Sequence, residues 1–158
     1  MTLYGLRKAI KDTLTADGLW LPEQIIIRRR TKIWNTVATA IGKARNGQVL
    51  VIGTPKGDRG QNPSNRSKAI ATVVTIPITL VENVKPDPEE DDETEDLLWQ
   101  QTVIRLQGNT LGRSADGDNA MVFDGFDEID EGNYLVRQTL FRTRFLITAA
   151  NTPQPPPP

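Results

Sequence analysis

From Lys68 to Glu82 the chain alternates, and this stretch limits the fold more than any other. Ile70, Thr72, Val74, Ile76, Ile78 and Leu80 occupy every second position, so in an extended backbone they share one face. A strand with one buried face needs partner strands beside it and something to cover it. Pro77 sits in the middle without an N–H, which predicts that the strand lies at a sheet edge or carries a bulge.

The partners are legible. Val49-Leu50-Val51-Ile52 within Gln48–Ile52 reads as a buried strand, and Gln24-Ile25-Ile26-Ile27-Arg28 as a short one. Met121 to Ile129 and Tyr134 to Ile147 read as an antiparallel pair joined through Asp130-Glu131-Gly132-Asn133. The cover comes from helices. Leu3, Leu6, Ile10 and Leu14 recur three or four apart, ending at Asp17-Gly18. Thr31 caps a second pattern with Ile33, Trp34, Val37, Ala38, Ile41 and Ala44, stopped by Asn46-Gly47. A third carries Leu97, Leu98, Val103, Ile104 and Leu106, with Trp99 on its other flank and Gly108 at its end. These elements predict one α+β domain over residues 1–147, a mostly antiparallel sheet with helices packed on one face. The expected core is Leu6, Ile10, Leu14, Val49, Val51, Val74, Ile76, Leu97, Leu98, Ile104, Phe141 and Phe145. Residues 148–158, ending Pro-Gln-Pro-Pro-Pro-Pro, read as a polyproline-like tail that does not pack.

Composition excludes several functions. The chain has 158 residues with no cysteine and no histidine, so disulfides, Cys–zinc sites, thiol nucleophiles and Ser-His or Cys-His triads are all ruled out. The N-terminus has no apolar signal-peptide core, and Ala69 to Val81 is too short and too interrupted to span a bilayer. Net charge is −1, which gives no global attraction to nucleic acid.

The charges are segregated along the chain. Asp87, Glu89, Glu90, Asp91, Asp92, Glu93, Glu95 and Asp96 form a dense acidic run before and within the first turn of the third helix, where negative charge suits the helix dipole. Arg28, Arg29 and Arg30, with Lys32, form the one dense basic cluster, while Arg137, Arg142 and Arg144 are spread along the last strand. Because acidic runs of similar density occur in the same chain, these arginines are read as pairing with acids on a neighbouring subunit. The alternative is a nucleic-acid-binding accessory protein that uses the Arg28–Lys32 cluster.

Thr54 to Ser67 is a long polar loop between two core strands, punctuated by glycine and proline. Such a loop gains little from folding within a monomer, so contacts with other chains are expected to order it. That makes Lys56, Asp58, Arg59, Asn62, Asn65 and Arg66 the loop's interface candidates beside Arg28, Arg29 and Arg30. Its first part, Thr54-Pro55-Lys56-Gly57-Asp58-Arg59-Gly60, lacks the spacing of a phosphate-binding loop, and no helix pattern follows it. Asp116-Gly117-Asp118-Asn119 fails the calcium-loop pattern, with Met121 where Gly is needed and Asp127 where Glu is needed. Paired-carboxylate hydrolysis is disfavoured because the acids cluster in loop-like runs, whereas a general acid must be desolvated.

The order of features resembles the tail-terminator and tail-completion (neck) proteins of long-tailed phages. The resemblance is carried by the opening helix with Leu6, Ile10 and Leu14, the strand Val49-Leu50-Val51-Ile52, and the polar loop leading into Ala69-Ile70-Ala71-Thr72-Val73-Val74. Its closing unit runs from Glu95-Asp96-Leu97-Leu98-Trp99 to Leu106-Gln107-Gly108, then through Phe126-Asp127-Glu128-Ile129 to Tyr134-Leu135-Val136-Arg137. The resemblance implies a non-enzymatic virion subunit without cofactor or metal. Such a subunit closes into a hexameric ring, caps the tail tube and docks on the head-neck connector, with DNA passing through the lumen as cargo. It also implies no membrane contact, assembly in the host cytoplasm and residence in the virion tail or neck. The second helix with Trp34 and the proline-rich tail depart from the family pattern.

Overall fold

In the computed structural model, the residues described are 1–28, 33–44, 47–57, 70–83, 93–114 and 119–147. Helix α1 (Leu3–Thr15) begins where the Thr2 side chain accepts a hydrogen bond from the Gly5 N–H at 3.0 Å, an N-cap. After its last residue the chain turns back at Gly18, whose φ is 75° and whose N–H donates to the Thr15 carbonyl. A short 3-10 turn, Pro22–Gln24, leads into β1 (Ile25–Ile27). Then come α2 (Ile33–Lys43), β2 (Gln48–Ile52), β3 (Lys56–Gly57), β4 (Ile70–Asn83), α3 (Glu93–Leu106), β5 (Val122–Glu131) and β6 (Tyr134–Ile147).

The strands form one sheet in the order β1-β2-β4-β6-β5, with β3 on the β2 side of β4. Among the described residues only the β1–β2 pair is parallel. The long β4–β6 ladder runs from Ile70 opposite Ile147 to Asn83 opposite Tyr134. The expected α+β class and mostly antiparallel sheet are thus present. The turn from β5 to β6 is tighter than the four residues anticipated: Gly132 and Asn133 suffice, because Gly132 adopts φ 68°.

Pro77 does not put the alternating strand at an edge. β4 is central, flanked by β6 on one side and by β2 and β3 on the other. The Pro77 carbonyl accepts from the Gly53 N–H at 2.7 Å, so the proline's N side faces the gap between the end of β2 and the start of β3. The interruption lies in the partner, and the missing N–H costs no ladder bond.

The sheet is covered on both faces at its β1–β2 side. Leu6, Ile10 and Leu14 of α1 pack on Leu50, Ile52, Val74, Ile76, Ile78, Leu80, Phe141 and Phe145, joined by Leu106, Leu111 and Met121. On the opposite face Val37 and Ile41 of α2 pack with Val49, Val51 and Val81. Two helices therefore share one face, and the third takes the other. Val49 and Val51 are buried as expected, in this second, smaller cluster.

Two expected core residues are on the outside. Leu97 is 52% exposed and Ile104 is 73% exposed. The inward face of α3 is Leu98, Trp99, Thr102, Val103 and Leu106, residues spaced three and four apart. Trp99, expected on the other flank, belongs to this inward face. A threonine takes a core position because Thr102 Oγ1 accepts from Trp20 Nε1 at 2.9 Å and donates to the Leu98 carbonyl at 2.8 Å. Trp20, read as part of a turn, is 1% exposed and is the largest buried side chain near that helix.

Candidate interface

Of the nine residues expected at contacts between chains, Arg28 and Lys56 are described, and both are exposed. Arg29, Arg30, Asp58, Arg59, Asn62, Asn65 and Arg66 lie outside the described residues, as do the Asp87–Asp92 part of the acidic run that extends to Asp96 and the Asp116–Asp118 turn. Arg28 extends β1 by one more bond, its N–H donating to the Ile52 carbonyl at 2.9 Å. Lys56 opens β3 opposite Thr75, so the polar loop returns to the sheet within its first residues. Arg28 and Lys56 both leave from the same end of the β1–β2 pair.

The edge formed by β1 is electropositive. Because Arg28 N–H points at β2, Ile26 does the same, and the Ile25 carbonyl between those bonds points outward. Lys11 Nζ donates to it at 2.8 Å, and Arg7 Nη1 donates to the Arg28 carbonyl at 2.7 Å. Arg7 also lies over the Tyr4 ring, 5.9 Å from its centroid. Two cations one turn apart on α1 therefore line β1, and Lys11 occupies an outward acceptor that another strand would use. Sequence reasoning missed this role; the Arg7/Lys11 spacing was the available signal, but its meaning depends on α1 lying against β1.

The opposite edge, β5, is electronegative. Asp124, Asp127, Glu128 and Glu131 are spread along it. Arg142 Nη2 holds Asp124 at 2.9 Å, and Glu128 accepts from Arg137 at 2.6 Å and 2.7 Å. Among the described residues, Asp127 and Glu131 have no ion-pair partner. Both lie on the face away from α1 and α3, opposite Gln138 and Tyr134, with Ile129 between them.

Two arginines of β6, Arg137 and Arg142, serve the fold itself. Arg137 is nearly enclosed: it bridges Asp96 of α3 at 2.9 Å and Glu128 of β5, with its guanidinium 4.9 Å from the Trp99 ring centroid and 5.9 Å from that of Phe126. Burial alone works to lower its pKa. The hydrogen bonds and charges of Glu128 and Asp96 outweigh that and raise it. Trp99 Nε1 also donates to Thr139 Oγ1 at 2.9 Å. Arg137 and Arg142 therefore spend their charge on acids of their own chain, contrary to the expectation that the arginines pair with a neighbour.

Arg113, which the sequence did not single out, pins the loop after α3. It donates to the Arg144 carbonyl and Thr143 Oγ1, each at 2.7 Å, to the Thr110 carbonyl at 3.0 Å, and to the Asn119 carbonyl. Desolvation pushes its pKa down. Beside this loop a groove of about 370 Å³ is lined by residues that include Val73, Val122, Arg142 and Arg144. Among the described residues no helix is long and apolar enough to cross a membrane.

No family model and no curated protein sequence matches this chain. The fold is shared with a chain from the virion of a native gene transfer agent (GTA) particle. The two superpose with a TM-score of 0.61 at 13% sequence identity, over 90% of this chain and 96% of the other.

Proposed function

We propose that this chain is a structural virion protein, a ring-forming tail-terminator or tail-completion subunit that caps the tail tube and joins it to the head-neck connector. The observation that carries the reading is the fold held in common with a virion chain over nearly the full length of both. The family resemblance in the order of elements points the same way. So does a sheet whose two edges differ in charge, since unlike surfaces on opposite sides of one subunit favour head-to-tail contacts that close into rings. Assembly, not catalysis, is then the activity, and partners are further copies, the tail tube and the connector, with DNA as passing cargo.

Negative-stain electron microscopy of the purified protein, alone and with tail tubes, tests this. Closed rings of one size with an open lumen, seated on tube ends, are expected. A protein that stays monomeric in both settings and binds duplex DNA through Arg28 to Lys32 would overturn the reading in favour of a nucleic-acid-binding accessory protein.

A further inference from the structure

Strand order places the β1 edge and the β5 edge on opposite sides of the sheet. The first displays Arg7, Lys11 and Arg28, and in sequence it continues directly into Arg29 and Arg30. The second displays Asp127 and Glu131 without counter-ions among the described residues, around an Ile129 that is 52% exposed. We infer that these two edges are the two halves of one contact: the Asp127–Ile129–Glu131 row of one copy docks against the Arg7–Lys11–Arg28 edge of the next. The inference rests on the ring reading above and specifies which surfaces make the ring.

Three features select a second copy, and this orientation, as the occupant. First, the charges are complementary between the edges and alike within each, so β5 against β5 or β1 against β1 is repulsive and an isologous pair is disfavoured. Second, neither edge invites a simple extension of the sheet. Lys11 already occupies the outward Ile25 carbonyl, with Arg7 beside it on α1, and acids along β5 oppose addition of an identical strand. The contact is therefore made by side chains. Third, Ile129 supplies an apolar centre flanked by charges, the arrangement of a small interface core within a polar rim. Because the ionic part lies at the surface, salt screens it.

Two variants test the pairing. Asp127→Lys with Glu131→Lys makes the β5 edge basic; Arg7→Gln and Lys11→Gln with Arg28→Glu makes the other edge acidic. Asp127, Glu131 and Arg28 are exposed, and glutamine keeps an N–H donor for the carbonyls that Arg7 and Lys11 hold, so circular dichroism and thermal unfolding should match the wild type. In sedimentation velocity the wild-type oligomer should dissociate as sodium chloride is raised, and each variant alone should be monomeric. An equal mixture of the two should reassemble, because every junction in an alternating ring again joins opposite charges. Variants that oligomerise like the wild type would overturn the edge pairing while leaving the ring reading intact. A mixture that stays monomeric would overturn it too, showing that assembly was lost for another reason. A wild-type protein that never oligomerises at low salt would overturn both.

Discussion

A Cβ added to Gly53 would stand 2.6 Å from Pro77 Cγ and 3.1 Å from the Pro77 carbonyl oxygen, separations that folded proteins do not tolerate without movement. Gly53 and Pro77 are complementary: the absent side chain of one makes room for the ring of the other where β2 gives way to β3. Gly53→Ala should destabilise the chain by about 1–3 kcal/mol, the usual range for overpacking. Combined with Pro77→Ala, the loss should be smaller than the sum of the single losses, because the ring contact is shared. Urea denaturation of the four proteins measures this, and strict additivity would refute it. A second residue-scale effect is electrostatic. Arg105 holds the Asp17 carboxylate below its ordinary pKa, chiefly by a direct hydrogen bond. A depressed folded value means that the pair's contribution is present above the unfolded pKa of about 3.9 and disappears as pH falls through the folded one. The urea midpoints of wild type and Asp17→Asn should therefore differ at neutral pH and converge in acid; a gap that persists or widens in acid would contradict the assignment.

The third helix shows how far periodicity reaches and where it stops. Leu97, Leu98 and Ile104 looked equivalent as apolar residues, yet the helix rolls so that a tryptophan and a threonine point inward while Leu97 and Ile104 face out. What decides the roll is a pair of indole N–H groups that must find acceptors: Trp20 from the turn after α1 reaches Thr102, and Trp99 reaches Thr139. Those partners are distant in sequence, so no local pattern reveals them. Leu98→Ala should cost about 1–3 kcal/mol, below the full-core range because Leu98 is only half-buried. Ile104→Ala should stay within about 0.5 kcal/mol of wild type. Equal effects of the two substitutions on thermal unfolding would show that the roll of the helix is misassigned. The strands were more legible, since alternation alone fixes which side chains share a face. Val74 and Ile76 are buried as their register requires, and so are Phe141 and Phe145. The candidate interface was legible only in part. The basic cluster at Arg28 stands out in the sequence, but the cations of α1 beside it do not, and Arg137 and Arg142 of β6 are bound by acids whose proximity only the fold creates.

For the molecule as a whole, the sheet separates its two charged edges by the width of five strands, a geometry that sequence could not supply. Segregated charge can be read from a chain, but whether two blocks end up adjacent or opposed depends on strand order. Here β6, the last strand, lies between β4 and β5, and the acidic hairpin is carried to the far side from β1. The same placement governs when the protein becomes a folded object. β4 leaves the ribosome with one flank waiting for a strand that has not yet been made, and their ladder joins Ile70 to Ile147, nearly the first and last residues of the sheet's second half. Pairings so far apart in sequence form slowly, since a large loop must close before any contact rewards it. During synthesis, the apolar face of β2 and β4 stays without its completing strand until β6 emerges, an interval in which chaperone capture competes with aggregation.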